Sequence, residues 1–471
     1  MLTNPIFKLY HVCDIYMAIH PIEFRYGSCE MKNVWNEQSR LKKVLSVEVA
    51  LANAEVEIGM IPKNAAMAIE DAASSVKLER VKEIEDEINH DMMAIVLALS
   101  EQCGDYGKWV HFGATSNDML DTATALQFKD AIGIFFVQIR RLRSVLTALA
   151  LEHKNTVCVA RTHGQIGIPT TYGLRFAIWA SEIDRHSTRL KELTPRVVVG
   201  KMSGASGTQA AFGKHGLKVQ ELAMKHLGIN SVDVSNQVIQ RDRHSEFVFW
   251  MANLATTLDK ISTEIRSLQR SEIGEVQESF GEKQVGSSTM PHKRNPIKSE
   301  QICGLARVIR GMVEPQLLNN TLWDERDLTN SASERVIFPE VCILTDHILR
   351  TATKVIENLR FYPGNIKQNL ELLNGLNMGE AVMIELAKKG VGRQEAHKLV
   401  RECAMLAREE KLHMQDALLA NSTIRQSLSR EEITQIMNPY DYIGTAVVQV
   451  EMLAEAMQAK EKEDETLAFL L

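Results

Sequence analysis

The chain carries no Cys-X-X-Cys pair, no His-Glu-X-X-His and no Asp-X-Asp-X-Asp-Gly loop, so spacing signals no metal site. It also has no Gly-X-X-X-X-Gly-Lys-Ser/Thr, no Gly-X-Gly-X-X-Gly behind a strand and no Gly-X-Ser-X-Gly elbow. These gaps leave no signature for a P-loop, a dinucleotide fold or an α/β-hydrolase serine. Cys13, Cys29, Cys103, Cys158, Cys303, Cys342 and Cys403 are odd in number and scattered. That argues against a disulfide framework and fits a reducing cytoplasm. No apolar run approaches the ~20 residues of a membrane span. The opening MLTNPIFKLYHVCDIYMAIHP lacks the basic start and sustained apolar core of a signal peptide. Met17 opens an alternative start, MAIHPIEFRYG, so residues 1–16 are expected to be dispensable. With a net charge of -6, a general nucleic-acid surface is not expected, although a pocket can be locally basic on an acidic protein.

What is present is helix. The 471 residues leave room for two or three domains and a large core, and 45% apolar with 24% charged residues is ordinary for a globular chain. Leu254, Leu258, Ile261, Ile265 and Leu268 step by four and three, the stripe of one long helix. Leu142, Val145, Leu146 and Leu149 form a second stripe, and Val341, Leu344, Ile348, Val355 and Leu359 a third. Only TVCVA (156–160) and RVVV (196–199) look extended, and no strand–helix alternation repeats, which excludes a doubly wound sheet. The fold class is therefore mostly α, with a long helical bundle. Breaks at HFGATSND and FYPGN, the latter read as a strong helix stop, divide the chain into an N-terminal helical domain (1–111), a central long-helix bundle (112–361) and a C-terminal helical domain (362–471). The charged tail KEKEDE is expected to be solvated or frayed.

The polar residues cluster in loops. GSSTMPHKRNP (286–296) packs Ser287, Ser288, His292, Lys293, Arg294 and Asn295 into a run that a glycine opens and two prolines interrupt. Such a composition alone is that of a plain surface loop. HFGATSNDMLDT (111–122) holds Thr115, Ser116, Asp118 and Asp121. Helix capping accounts for one or two of these, and paired hydroxyls at a helix start also suit a carboxylate or phosphate. ARTHGQIGIPTTYG (160–173) places Thr162 and His163 in a Gly-flanked turn, where a histidine can exchange a proton near neutrality. NHD (89–91) adds a second histidine beside an acid. GKMSGASGTQA (200–210) reads as a tight crossing or an anion-binding turn. QVIQRDRH supplies Gln237, and WDERDLTNSASER supplies Arg326, Ser331 and Arg335. An exposed arginine usually solvates a face, yet its planar fork suits phosphate and carboxylate. The inventory points to proton transfer with anion recognition, with no cofactor and no metal.

Together GSSTMPHKRNP, FRYGSCEM, NHD, TSNDMLDT, RTHGQ, QVIQRD, ERDLTNSASER and the late YIG resemble the fumarase/aspartase superfamily and, within it, the adenylosuccinate lyase family. The resemblance spans nearly the whole chain. It implies a three-segment helical subunit, a homotetramer around a twenty-helix core, and active sites that take loops from three subunits. It implies β-elimination of fumarate from adenylosuccinate, giving AMP, and from SAICAR, giving AICAR, in purine biosynthesis. Ser287 would be the general base and His163 the general acid. Lys293 and Asn295 would hold the dianion, Glu300 would partner the acid histidine, and His90 would be the second site histidine. Substrate would be gripped by Arg25, Tyr26, Asn89, Asp91, Thr115, Ser116, Thr162, Gln237, Ser288, Arg326, Ser331 and Arg335. His292 is not required by the pattern. Asn89, and Gln301 after Glu300, depart from residues common in relatives and leave the sharing of the phosphate grip open.

Sister families share the mobile loop, the 3-carboxy-cis,cis-muconate cycloisomerases most closely. The His90–Asp91 pair and the combination of RTHGQ with TSNDMLDT favour the adenylosuccinate branch. A non-catalytic structural homologue would be expected to lose Ser287, His163 or Lys293, and all three are present. The partners implied are a small nucleotide and further copies of the chain, with no nucleic acid and no membrane.

Overall fold

The computed structural model describes residues 18–281, 283–284 and 286–468. The stretch 1–16 and the alternative start at Met17 lie outside the described residues. The fold is mostly helical. Five long helices dominate: Ser116–Glu152, Tyr172–Val197, Asp242–Leu268, Thr329–Glu357 and Ala446–Ala468. Among the described residues the strands are short and form three two-stranded pairs.

The chain forms two compact units. The first is built from the residues up to Ile139, with His186–Leu258 and Gly304–Arg350. The second is built from Arg140–Arg185, Asp259–Cys303 and the residues from Thr351 onward.

In the first unit, helix Glu37–Glu57 starts on Asn36, whose Oδ1 accepts the Ser39 amide at 2.8 Å. Its buried face, with Leu41, Val44, Leu45 and Leu51, packs into a core shared with Ile69, Leu99 and Val219. Removing such side chains from water is the main driving force for the packing. A knot of aromatic rings joins three of the long helices: Phe128 lies 5.1 Å from Phe247 and 4.9 Å from Phe338, edge to face, the favoured geometry for ring quadrupoles.

In the second unit, strands Val157–Thr162 and Gln165–Thr171 form an antiparallel hairpin. Its apolar face, with Val157 and Val159, packs on Leu370 and Ile443. Farther along the chain, Val382, Leu386, Leu399 and Cys403 centre a separate core of shorter helices.

Leu254, Leu258, Ile261, Ile265 and Leu268 are all buried, as their spacing requires. The other two stripes are less complete. Val145 and Leu149 are half-buried, and Leu359 lies beyond the end of its helix at Glu357.

Three local expectations change. TVCVA is a strand, but Arg196 and Val197 complete helix Tyr172–Val197 and leave only Val199–Gly200 extended. The Arg196 guanidinium donates to the Glu192 carbonyl at 2.8 Å, satisfying a helix-end acceptor that a strand would not offer. At FYPGN the stop holds, since helix Thr329–Glu357 ends before it, but Pro363 is also the first residue of helix Pro363–Glu371; proline suits that position because its missing N–H would be unpaired there. The charged tail does not fray but continues helix Ala446–Ala468. Lys460 pairs with Asp184, and Glu461 accepts the Ser144 hydroxyl at 2.6 Å.

Candidate active site

The candidate residues fall into one group in each unit. In the first unit, helix Leu78–Ile88 ends on Asn89, which takes the left-handed conformation (φ 54°) that asparagine tolerates. His90 then caps helix Asp91–Gln102, its Nδ1 accepting the Met93 amide at 3.3 Å. That bond leaves the proton of the neutral ring on Nε2. Asp91 opens the helix and meets Arg335 at 2.5 Å and Arg40 at 3.5 Å. Burial pushes its carboxyl upward, but the Met92 amide and the charges of Arg335, Arg40 and His90 outweigh burial and hold it below the usual carboxylate range.

Arg335 and Ser331 line a cleft of about 290 Å³ with Arg40, Asn117, Arg326 and the buried Arg241. Arg326 donates to the Gln237 amide oxygen at 2.9 Å, and Gln237 in turn donates to the Ala205 carbonyl at 2.7 Å. With its amide turned so that oxygen faces the guanidinium, Asn117 accepts from Arg326 at 2.8 and 3.0 Å. Arg241 is clamped beneath by Asp121 at 2.8 Å and Glu334 at 3.2 Å. The cleft thus presents arginines whose orientation is fixed before any ligand arrives.

Thr115 and Ser116 stand at the head of helix Ser116–Glu152, where the Thr115 amide donates to Asp118 at 3.0 Å. Among the described residues their hydroxyls have no protein partner. Asp118 is fully buried and pairs with Lys201 at 2.5 Å. It also accepts the amides of Ser203 at 2.9 Å and Gly204 at 3.1 Å. The Gly-rich segment after residue 200 is therefore a crossing pinned to this helix. Tyr26 rests against the His347 ring at 5.2 Å, and Arg25 is exposed beside it.

In the second unit, His163 and Gly164 form the two-residue tip of the hairpin, with φ 53° and 73°. Positive φ at both positions is the type I′ turn that matches strand twist. The tip holds the imidazole in solvent, and among the described residues it has no hydrogen-bond partner. Thr162 is exposed on the adjoining strand end.

The loop 286–296 closes on itself. The Asn295 amide donates to the Gly286 carbonyl at 3.0 Å, and a Cβ on Gly286 would collide with the Lys293 carbonyl oxygen. Ser287 Oγ accepts the backbone amides of Thr289 at 3.3 Å and Met290 at 3.0 Å. Ser288, His292 and Lys293 are exposed. Lys293, Asn295 and Glu300 line a cleft of about 970 Å³ with Gln269, Arg266 and Arg270.

Glu300, in the first turn of helix Ile297–Gly311, is exposed and does not touch His163; the expected pair does not form within the chain. Both side chains are held outward by elements that are anchored from below. Arg40, Asn117, Arg266 and Arg270 escaped the sequence reading, whereas Arg241 stood in the polar run QVIQRDRH.

Comparison with known proteins sharpens this picture. A family model described as "Lyase" matches residues 24–311, and one described as "Adenylosuccinate lyase C-terminus" matches residues 375–453. Adenylosuccinate lyase of Methanocaldococcus jannaschii is 54% identical over 448 residues, covering 94% of this chain and 97% of that one. The enzyme of Pyrococcus abyssi is 52% identical, covering 95% and 99%. Among solved structures, a fumarate lyase from Mesorhizobium sp. BNC1 superposes with a TM-score of 0.85 at 31% identity, covering 91% of this chain and 98% of that one. A 3-carboxy-cis,cis-muconate lactonizing enzyme from Pseudomonas putida superposes at 0.84 and 31%, covering 93% and 99%. The helical architecture is thus shared with enzymes of other names, while the adenylosuccinate lyases match at above one half identity over almost the full length: the chain is a lyase and belongs to the adenylosuccinate lyase family.

Proposed function

We propose that the chain removes fumarate from adenylosuccinate, leaving AMP, and from SAICAR, leaving AICAR. The observation that carries the mechanism is at Ser287. Two backbone amides already point at its Oγ, and hydrogen bonds accepted by an oxygen favour its charged form. A serine so placed can serve as an alkoxide base once the loop excludes water.

Ser287 takes the proton from the carbon beside the substrate's carboxylate. The electron pair left behind spreads into that carboxylate, which becomes nearly a dianion. Lys293 and the Asn295 amide supply the fixed positive charge and N–H that stabilise it. The C–N bond then breaks, its electrons stay on nitrogen, and His163 delivers a proton there. Arg326, Arg335, Ser331, Thr115 and Ser116 hold the phosphate and carboxylate oxygens, with Arg25 and Tyr26 at the nucleotide. His90, Asp91, Asn89, Gln237, Thr162 and Ser288 complete the pocket.

Because Glu300 does not meet His163 within one chain, we place complete sites at subunit junctions of a homotetramer. Segment 112–361, with most of the long helices, supplies the shared core, flanked by 1–111 and 362–471. Cys29, Cys103, Cys158, Cys303, Cys342 and Cys403 are free thiols, which supports a cytoplasmic location. No described helix is long and apolar enough to cross a membrane.

The test is direct. Purified protein is given adenylosuccinate, purine absorbance is followed, and the products are identified by chromatography. AMP and fumarate in equal amounts support the reading. A folded protein that leaves adenylosuccinate intact would overturn it, and carboxymuconate would be the next substrate to try.

A further inference from the structure

Four arginines line the cleft of the first unit, and three of them face a carboxylate. Arg335 and Arg40 share Asp91, and Arg241 lies between Asp121 and Glu334. Arg326 is the exception: among the described residues it forms no ion pair. Two neutral amides hold its guanidinium instead. The Asn117 oxygen accepts from Nη1 at 2.8 Å and from Nε at 3.0 Å, and the Gln237 oxygen accepts from Nη1 at 2.9 Å. Nη2 meets no acceptor among the described residues.

The acids nearby are committed elsewhere. Asp327, the next residue in the chain, accepts the Trp323 amide at 2.9 Å and the Thr329 amide and hydroxyl at 2.8 and 2.5 Å, within its own turn. Asp121 takes the Ile239 amide at 2.8 Å as well as Arg241. Burial, with the like charge of Arg241, lowers the pKa of Arg326 from the usual guanidinium value, and Asp121, Asp91 and Asp327 do not offset it. Burial acts on Arg241 in the same direction, but Asp121 and Glu334 reverse the shift there.

Asn117 stands in the first turn of helix Ser116–Glu152 and is only 4% exposed. An aspartate of the same size would grip the guanidinium fork more tightly, and would also cancel its charge. We propose that Asn117 is a positioning residue that sets the affinity of the cleft: it orients Arg326 through an uncharged acceptor and so leaves the full charge for an anionic group of the substrate. The proposal rests on the reading of this cleft as the place that takes the phosphate or carboxylate oxygens of adenylosuccinate.

The test compares the parent, Asn117→Asp and Asn117→Ala as full-length proteins with adenylosuccinate. Asn117→Asp keeps the shape and the accepting oxygen and adds only a counter-charge. Its midpoint in chemical denaturation should not fall, because a carboxylate suits both the guanidinium and the start of a helix. Its KM should nevertheless rise about ten- to a hundredfold, the range of one charge-assisted hydrogen bond. Its kcat should stay within about threefold, the mark of binding lost equally from ground and transition states. Asn117→Ala, in which Gln237 still holds Arg326, should raise KM less. A purely structural acceptor gives the reverse order, with aspartate equal to the parent and alanine the worst, and that order would overturn the proposal. If Asn117→Asp does not fold, Asn117→Ala decides: a raised KM at unchanged kcat supports the role, and an unchanged KM overturns it. A folded parent that leaves adenylosuccinate intact removes the functional reading instead. The clamp is then read by calorimetric titration of inorganic phosphate. Weaker binding by Asn117→Asp, or by Asn117→Ala in its place, than by the parent supports it. Equal binding, or none by either, overturns it.

Discussion

Asp118 and Lys201 pair at 2.5 Å with both side chains withdrawn from solvent. The same carboxylate holds the Ser203 and Gly204 amides, so one side chain joins the head of a 37-residue helix to the segment that supports Gln237. Asp118→Asn would leave Lys201 charged and unmatched. The expected loss is about 3–5 kcal/mol of folding stability, read from chemical denaturation. Pairing Asp118→Leu with Lys201→Met should not restore it, because the amides of Thr115, Ser203 and Gly204 would stay orphaned. Full recovery would show that the amides find other partners.

Ser287→Ala tests chemistry apart from folding. The side chain is part of a loop and contributes little to any core, so stability should change by less than about 0.5 kcal/mol. Turnover should fall by orders of magnitude in a steady-state assay. Near-normal turnover would take the base role away from Ser287.

Arg335 meets Asp91 and lines the arginine cleft. Arg335→Ala should raise KM for adenylosuccinate about tenfold or more, the scale of a lost charge-assisted hydrogen bond of about 1.5–3 kcal/mol. An unchanged KM would move the anion grip to Arg326 and Arg40.

Glu55 offers a pH signature. It is fully buried, and its carboxylate oxygens have no hydrogen-bond partner among the described residues. Burial, reinforced by the nearby charge of Glu48, raises its pKa from 4.5 to about 9. Between those values the unfolded chain releases the proton and the folded chain keeps it. This group's contribution to stability therefore falls as pH rises from about 4.5 to about 9 and is level outside that window. Glu55→Gln should match the parent near pH 5 and exceed it by a few kcal/mol near pH 8, on the scale of about 1.4 kcal/mol per pKa unit. Thermal melts at the two pH values decide it; equal differences at both would mean that Glu55 titrates normally.

The helices were legible because their cores recur at the helical period; Leu254 to Leu268 is buried at every step. Val197 to Val199 was not, because a short apolar run fits the last turn of a helix as well as a strand. His163 was placed in a turn and the strand before it was read at TVCVA, but the returning strand was hidden by Gly167 and Pro169, residues that weaken a strand pattern. The loop 286–296 was legible as a motif, yet its closure depends on a backbone carbonyl meeting a missing Cβ, which no residue type announces. Asp118 and Arg241 act through partners 83 and 120 positions away in the chain. Separations of that size leave no local pattern, and only folding discloses them.

The neck formed by Gly286, Lys293 and Asn295 also has a mechanical consequence. A strap fastened at two distant points can slacken along its length, whereas a loop drawn shut at its own base swings as one rigid flap. Ser287 and Lys293 ride on the same flap. With Ser287 as the proposed base and Lys293 as the proposed counter-charge, a movement of the flap would carry both together.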